Sequence, residues 1–352
     1  MRLAVLMPTR NRARTAHRAL ESFLAALESV DAVNRVSIVV VDDSDDAAER
    51  AELCARLAGT RDRYPAIAIT VLAPDGPVAG AERSIARPGG GPGAARNHGL
   101  RFLRARPCEH DRLIMFDDDI VFGSIDYRGH RLACRGDIVL QQALDICRAP
   151  RTVAGCAYLG RQDLSILEHI RLHGDAARGD NSVPPALDRL DIDNVAPAGI
   201  STAFLAIAAS AHALPDFPEH YNEDYVWLHA LERAGWTLNC IAEPLAHAPP
   251  GGVAITAPSL SFEIFGEIVW LAVLERDRFS VDDPDAMAAA IDEIVGDLRS
   301  ARIHLLDNDG SVFMIMQTVM GHYLRVRTAI ENRQTDPAAV ALLDAIRAGL
   351  AL

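Results

Sequence analysis

The sequence contains no lysine: all 35 of its basic residues are arginine. A Gly-rich loop leading into Lys-Ser/Thr therefore does not exist here, and the GGGPG run at residues 89–93 is not a P-loop. Paired cysteines are missing too. Cys54, Cys108, Cys134, Cys147, Cys156 and Cys240 are scattered without a C-x-x-C, which argues against a structural zinc site and a disulfide framework. Positive charge is in deficit, with a net charge of −13, so broad attraction to nucleic acid or an anionic membrane is not expected. Long apolar runs are absent: no stretch reaches the ~18 consecutive apolar residues of a spanning helix. The opening MRLAVLMPTRNR has too short an apolar run for a signal peptide and continues into arginines. No transmembrane segment and a cytoplasmic location are the expectation.

What is present is ordinary globular material. The 352 residues are 49% hydrophobic and 24% charged, enough for one large domain or a domain with an appendage. Strand and helix signals alternate over the first 120 residues. LAVLMP (3–8) and VSIVVVDDS (36–44) read as strands, the second continuous in Val and Ile as a strand buried on both faces is. Further strands are expected at 67–72 and 113–116, with helices over 15–30, 47–57 and 94–105. This alternation predicts a doubly wound, mostly parallel sheet, in which ligands bind beyond the carboxyl ends of the strands. Pro8-Thr9, Asp42-Asp43 and Asp117 to Asp119 all fall at such ends and should share one crevice. Residues 160–194 read as a long loop or lid. Trp227, Ala230, Leu231 and Ala234 line one face of a helix closed by Gly235, and a strand is expected at 236–241. Beyond about Ala257 the pattern is helical, with one stripe through Phe265, Ile268, Val269 and Ala272 and another from Val312 to Val326.

The sharpest local feature is IMFDDDIVF (114–122), three aspartates between apolar runs. Like charges so close need solvent, hydrogen bonds or a cation, and Mg²⁺ or Mn²⁺ prefers such oxygen ligands. A solvated acidic turn is the plain alternative. Asp117 and Asp119 flank the middle aspartate, and as alternate strand residues they are expected to point the same way.

Taken in order, VLMPTRNR, VVVDDSDD, GAARNHGL, MFDDDIVF, NEDYVW and AHAPPG resemble the motifs of family-two-like glycosyltransferases with a GT-A fold. The resemblance covers residues 3 to about 250 and implies an α/β, Rossmann-like GT-A catalytic domain over 1–257. Residues 258–352 would then be a helical region covering the acceptor or forming a homodimer. It implies Mn²⁺ or Mg²⁺, a nucleotide-sugar donor (a UDP-sugar favoured) and an acceptor that the sequence does not identify. Asp119 would ligate the metal, joined by His247 after the last core strand, and Asp117 would act there or through ribose or water. Pro8, Thr9, Arg12, Asp42, Asp43, Arg96, Asn97, Asp117 and Asp118 would contact the donor, Asp43 as the base reader. A surface position is the alternative for Arg12, and a helix cap for Asp42-Asp43, though Ser44, Asp45 or Asp46 could cap instead. Asp224 would be the general base of an inverting transfer, with Glu223 as acceptor ligand or support. For that pair, a favourable helix N-terminus is the alternative. The remaining histidines are read as structural. Rival readings are a retaining transferase of the same fold, a sugar nucleotidyltransferase, and a non-catalytic binding protein.

Overall fold

The computed structural model describes residues 1–30, 33, 35–73, 91–106, 110–127, 130–160, 200–248, 256–274, 282–305 and 310–351. Strands β1 (Arg2–Thr9), β2 (Arg35–Asp42), β3 (Ala68–Leu72) and β4 (Arg112–Phe116) alternate with α1 (Ala13–Leu27), α2 (Ala47–Arg63) and α3 (Pro92–Arg104). Next come β5 (Ile120–Val121), the hairpin of β6 (Ile125–Tyr127) and β7 (His130–Leu132), α4 (Gly136–Ile146) and β8 (Thr152–Gly160). β9 (Ser201–Ile207), α5 (Glu223–Arg233) and β10 (Thr237–His247) complete this half of the chain. The sheet runs β3-β2-β1-β4-β9-β8-β10-β5.

The first half of the sheet is the expected one: β3, β2, β1 and β4 are all parallel. β1 and β2 are buried on both faces. Leu3, Val5, Met7, Ile38 and Val40 face α1, α2 and α4, while Ala4, Leu6, Val39 and Val41 face α3 and α5. Each of these Val, Leu, Ile and Met side chains contributes roughly 1.5–3 kcal/mol on burial. The second half was not foreseen in detail. β9 runs antiparallel to both β4 and β8, and β10 then lies parallel to β8. The α/β class and Rossmann-like sheet stand, with this reversal built in. The expected lid at 160–194 and most of the Gly/Pro-rich loop before α3 lie outside the described residues.

Below the aspartate run, Phe116 and Phe122 pack with Phe23 of α1 and Phe204 of β9, ring centroids 5.1–5.6 Å apart. Such ring pairs add about 0.5–1.5 kcal/mol each beyond area. The two phenylalanines flank the aspartates, so this cluster clamps both ends of the acidic turn.

The helical region comprises α6 (Ala257–Leu274), α7 (Pro284–Leu305), α8 (Gly310–Glu331) and α9 (Pro337–Ala351). The predicted stripes form its core: Ile268, Val269, Ala272, Met316, Val319, Tyr323 and Val326 are buried, and Val226 of α5 joins them. One expectation needs correcting. By length and composition α6 could cross a membrane, with 18 residues at a mean hydropathy of 1.5. Counting uninterrupted apolar residues misses it because Ser261, Glu263, Gly266 and Glu267 break the run. Its packing is that of a core helix, since α5, α7, α8 and α9 lie against it and Glu263 is buried among them.

Candidate active site

A cavity of about 420 Å³ opens at the carboxyl ends of β1, β2 and β4. Pro8, Thr9, Arg12, Asp43, Arg96, Asp117, Asp118, Asp119, Glu223, Asp224 and His247 all line it. The crevice expected from the strand ends is therefore present, and it also gathers the acidic start of α5 and the end of β10.

β4 stops at Phe116, and Asp117–Asp119 form a turn closed by the Ile120 N–H on the Asp117 carbonyl at 3.2 Å. Strand alternation therefore does not govern the triplet: Asp117 turns to Arg96, while Asp118 and Asp119 converge on Arg12. Asp117 accepts from Arg96 at 2.7 Å. Asp118 is buried, accepting from Thr9 Oγ1 at 2.6 Å and from Arg12 at 3.2 Å. Asp119 accepts from Arg12 at 3.0 Å and lies 3.3 Å from His247 Nε2. Arg12 is thus more than a surface residue: it holds two neighbouring aspartates in place from the start of α1.

Antiparallel pairing of the two-residue strand β5 with β10 makes the Asp119–His247 contact. His247 sits opposite Ile120, and the Ala248 N–H donates to the Asp119 carbonyl at 2.9 Å. The Tyr158 ring packs on His247 with centroids 4.7 Å apart, fixing the imidazole from the β8 side.

Arg96 lines the cavity and also ties two elements together. It is a largely buried part of the cavity wall, and its fork joins Asp117 at the end of β4 to Glu223 at the start of α5. Glu223 is correspondingly buried, which makes it a support for α5. Asn97 and Asp42 are not on the wall. The Asn97 amide donates to the Phe217 carbonyl at 2.8 Å and accepts the Phe217 N–H at 2.7 Å, while Asp42 accepts the Ser44 N–H at 3.0 Å. These two residues, expected to contact the donor, do not line the cavity. Asp46 caps α2 by accepting the Ala48 N–H at 2.7 Å, so the cap does not require Asp43. His110 is structural, as expected, accepting the Ala211 N–H at 3.1 Å.

The electrostatics show a surplus of negative charge. Among the described residues, six carboxylates (Asp43, Asp117, Asp118, Asp119, Glu223, Asp224) share the wall with three guanidiniums (Arg10, Arg12, Arg96). Burial pushes Glu223 up to about 8, helped by Asp224 and opposed by Arg96. Burial and Asp119 raise Asp118 to about 6 against Arg12 and Thr9. Burial, then the neighbouring carboxylates, also raises Asp117, though its side chain is 34% exposed to the cavity and Arg96 opposes the rise. Asp119 goes the other way: burial would raise it, but the hydrogen bond and charge of His247, with Arg12, hold it below the usual range.

Protonation relieves part of this surplus, and a cation would relieve it better. Among the described residues no three His, Cys, Asp or Glu side chains gather as a ready-made metal cluster. The fold offers instead one carboxylate and one imidazole, Asp119 and His247. That set fits a divalent ion whose other ligands are substrate oxygens and water.

Several wall residues carried no signal strong enough to single out. Arg10 lies 3.8 Å from Asp43 and 3.2 Å from Asp45, and Tyr158, Tyr221, Asn222 and Tyr225 also face the cavity. The cluster HYNEDY (220–225) was the available hint, because polar and aromatic residues crowd ahead of a helix there. Two glycines allow the close packing that shapes this wall. A Cβ at Gly93 would run into the Pro218 carbonyl and Glu223, and one at Gly266 into the Tyr221 carbonyl.

No protein-family model matches the chain, and no curated protein sequence does. Among solved structures, it resembles a mannosyltransferase from Pyrobaculum calidifontis in complex with GDP-Man and Mn²⁺ (14% identity, TM-score 0.47, covering 99% of this chain and 87% of that one). It also resembles a glucosyl-3-phosphoglycerate synthase from Mycobacterium tuberculosis with Mg²⁺ and UDP (15% identity, TM-score 0.40, covering 75% and 77%). A third is a mannosyl-3-phosphoglycerate synthase from Rubrobacter xylanophilus (16% identity, TM-score 0.36, covering 71% and 68%). These likenesses are distant, and the functional reading rests on the site's own chemistry.

Proposed function

We propose that this chain is a metal-dependent glycosyltransferase that moves a sugar from a nucleoside diphosphate, UDP favoured, to an acceptor hydroxyl with inversion. One observation carries the reading. A single cavity collects the polar ends of β1, β2 and β4, the Asp119–His247 pair and the acidic start of α5.

In this reading Pro8, Thr9, Arg10 and Asp43 receive the nucleoside, with Asp43 accepting from the base or ribose. Asp119 and His247 would hold Mn²⁺ or Mg²⁺, which when bound stabilises negative charge on the leaving diphosphate. Arg12 keeps Asp118 and Asp119 from splaying apart. Asp224 takes the proton of the acceptor hydroxyl as that oxygen bonds to the anomeric carbon. The bond from that carbon to the diphosphate oxygen breaks with its electron pair leaving on the diphosphate. Arg96 and Glu223 fix the start of α5 and hence the position of Asp224. Residues 1–257 carry the chemistry, and 258–352 brace it or mediate self-association.

The test is a screen of UDP- and GDP-sugars by thermal shift and by release of nucleoside diphosphate, with EDTA or with Mn²⁺. Cation-dependent stabilisation and hydrolysis are expected. Binding of UDP with equal affinity in EDTA and Mn²⁺ would sink the metal-dependent reading.

A further inference from the structure

We propose that the acceptor is a neutral carbohydrate, a sugar or glycoside hydroxyl, seated on Tyr221 and Tyr225; this rests on the glycosyl-transfer reading above. With the nucleoside at Arg10 and Asp43 and the diphosphate at Asp119 and His247, the space left for the reacting sugar and acceptor is bounded by Tyr158, Ala203 and residues 221–225.

Charge decides the class. This part of the wall carries Glu223 and Asp224, and its nearest cation among the described residues is Arg96. Both arms of that guanidinium are committed, one to Asp117 at 2.7 Å and the other to Glu223. A phosphate or carboxylate on the acceptor would face Asp224 with no uncommitted cation among the described residues of this wall, and like charges at contact repel strongly in a partly desolvated site.

Shape points the same way. A pyranose has an apolar C–H face and a rim of hydroxyls, and a tyrosine has an apolar ring with a phenol that donates and accepts. The wall is doubly layered: Tyr225 lies against Trp270 of α6 with centroids 5.9 Å apart, and Tyr221 against Phe262 at 6.4 Å. The rings are thus backed by a second aromatic layer, as a rigid binding face requires.

The experiment uses the full chain with UDP and Mg²⁺. Saturation-transfer NMR compares methyl glucoside and methyl mannoside with 3-phosphoglycerate. In parallel, nucleoside diphosphate release from UDP-glucose and GDP-mannose is followed with each acceptor. The glycosides are expected to bind and to raise release by about tenfold or more, with 3-phosphoglycerate doing neither. Tyr225→Ala should raise the acceptor KM about tenfold, and by more than the donor KM. Tyr225→Phe, which keeps the ring on Trp270, replaces it if the alanine variant does not fold, with a rise of about threefold expected. A preference for 3-phosphoglycerate in both assays overturns the acceptor proposal and leaves glycosyl transfer standing. Glycoside KM indifferent to both variants also overturns it. No release from any donor overturns both readings together.

Discussion

At the scale of single residues, the proposed mechanism separates groups that would do chemistry from groups that hold them. Asp224 sits half-buried on the cavity wall, and Asp224→Asn removes its basicity while keeping its shape. That variant is expected to keep donor affinity and lose transfer by about 100-fold, or ~2.7 kcal/mol of transition-state stabilisation. Donor calorimetry beside acceptor turnover checks it, and near-normal turnover would favour retention or another base. The raised carboxyls give a pH prediction. Asp118 and Glu223 have folded values of about 6 and about 8, against ordinary values of 3.8 and 4.5. The folded chain therefore binds protons that the unfolded chain releases, so their contribution to stability is full below the ordinary values and is lost as pH rises toward 8. In EDTA the melting temperature should fall between about pH 5 and 8, less steeply in Glu223→Gln, and Mn²⁺ with UDP should flatten the fall. A parallel fall with and without cation would place the surplus charge elsewhere. Much of the site at this scale was legible in the sequence, because the chemistry-bearing residues are local clusters such as DDD and NED. The commitment of Arg96 and Asn97 to partners 127 and 120 positions away was not, since no local pattern marks so distant a contact.

At the scale of elements, the decisive contact is between α6 and the turn that opens α5. Asn222 takes a left-handed conformation with φ +60° and donates to Glu267 at 3.0 Å. Beside it, Gly266 lets α6 touch the Tyr221 carbonyl. Gly266→Ala should push the two apart, destabilising the fold by roughly 1–3 kcal/mol through overpacking and lowering transfer activity. Gly296→Ala on α7, where a Cβ meets nothing within 4 Å, is the control. It should be neutral or stabilise by about 0.4–1 kcal/mol. Urea denaturation of the two variants distinguishes the effects, and equal stability would deny α6 its gripping role. The parallel strands β1 to β4, the helices between them and the C-terminal helices were readable from their periodicity, whereas α4 and β8 were not singled out. β9 was not, because STAFLAI specifies a strand but not its direction.

At the scale of the whole molecule, the helical region is tied to the sheet through α5, with Val226 part of the core that α6 to α9 share. A chain ending at Ala257 would expose that face and the aromatic rings against Trp270. Such a chain is expected to aggregate or to lose most transfer activity. A truncated chain that is monomeric and fully active, when the intact chain is also monomeric, would show that residues 258–352 neither brace the site nor pair subunits. The seam between β5 and β10 has a different consequence, one of timing. Asp119 and its two aspartate neighbours leave the ribosome long before His247, which reaches them only when the last long strand of the sheet docks. In the proposed metal site a nascent chain would until then hold only Asp119 of the two protein ligands, so tight cation retention is expected only once β10 has docked on β5.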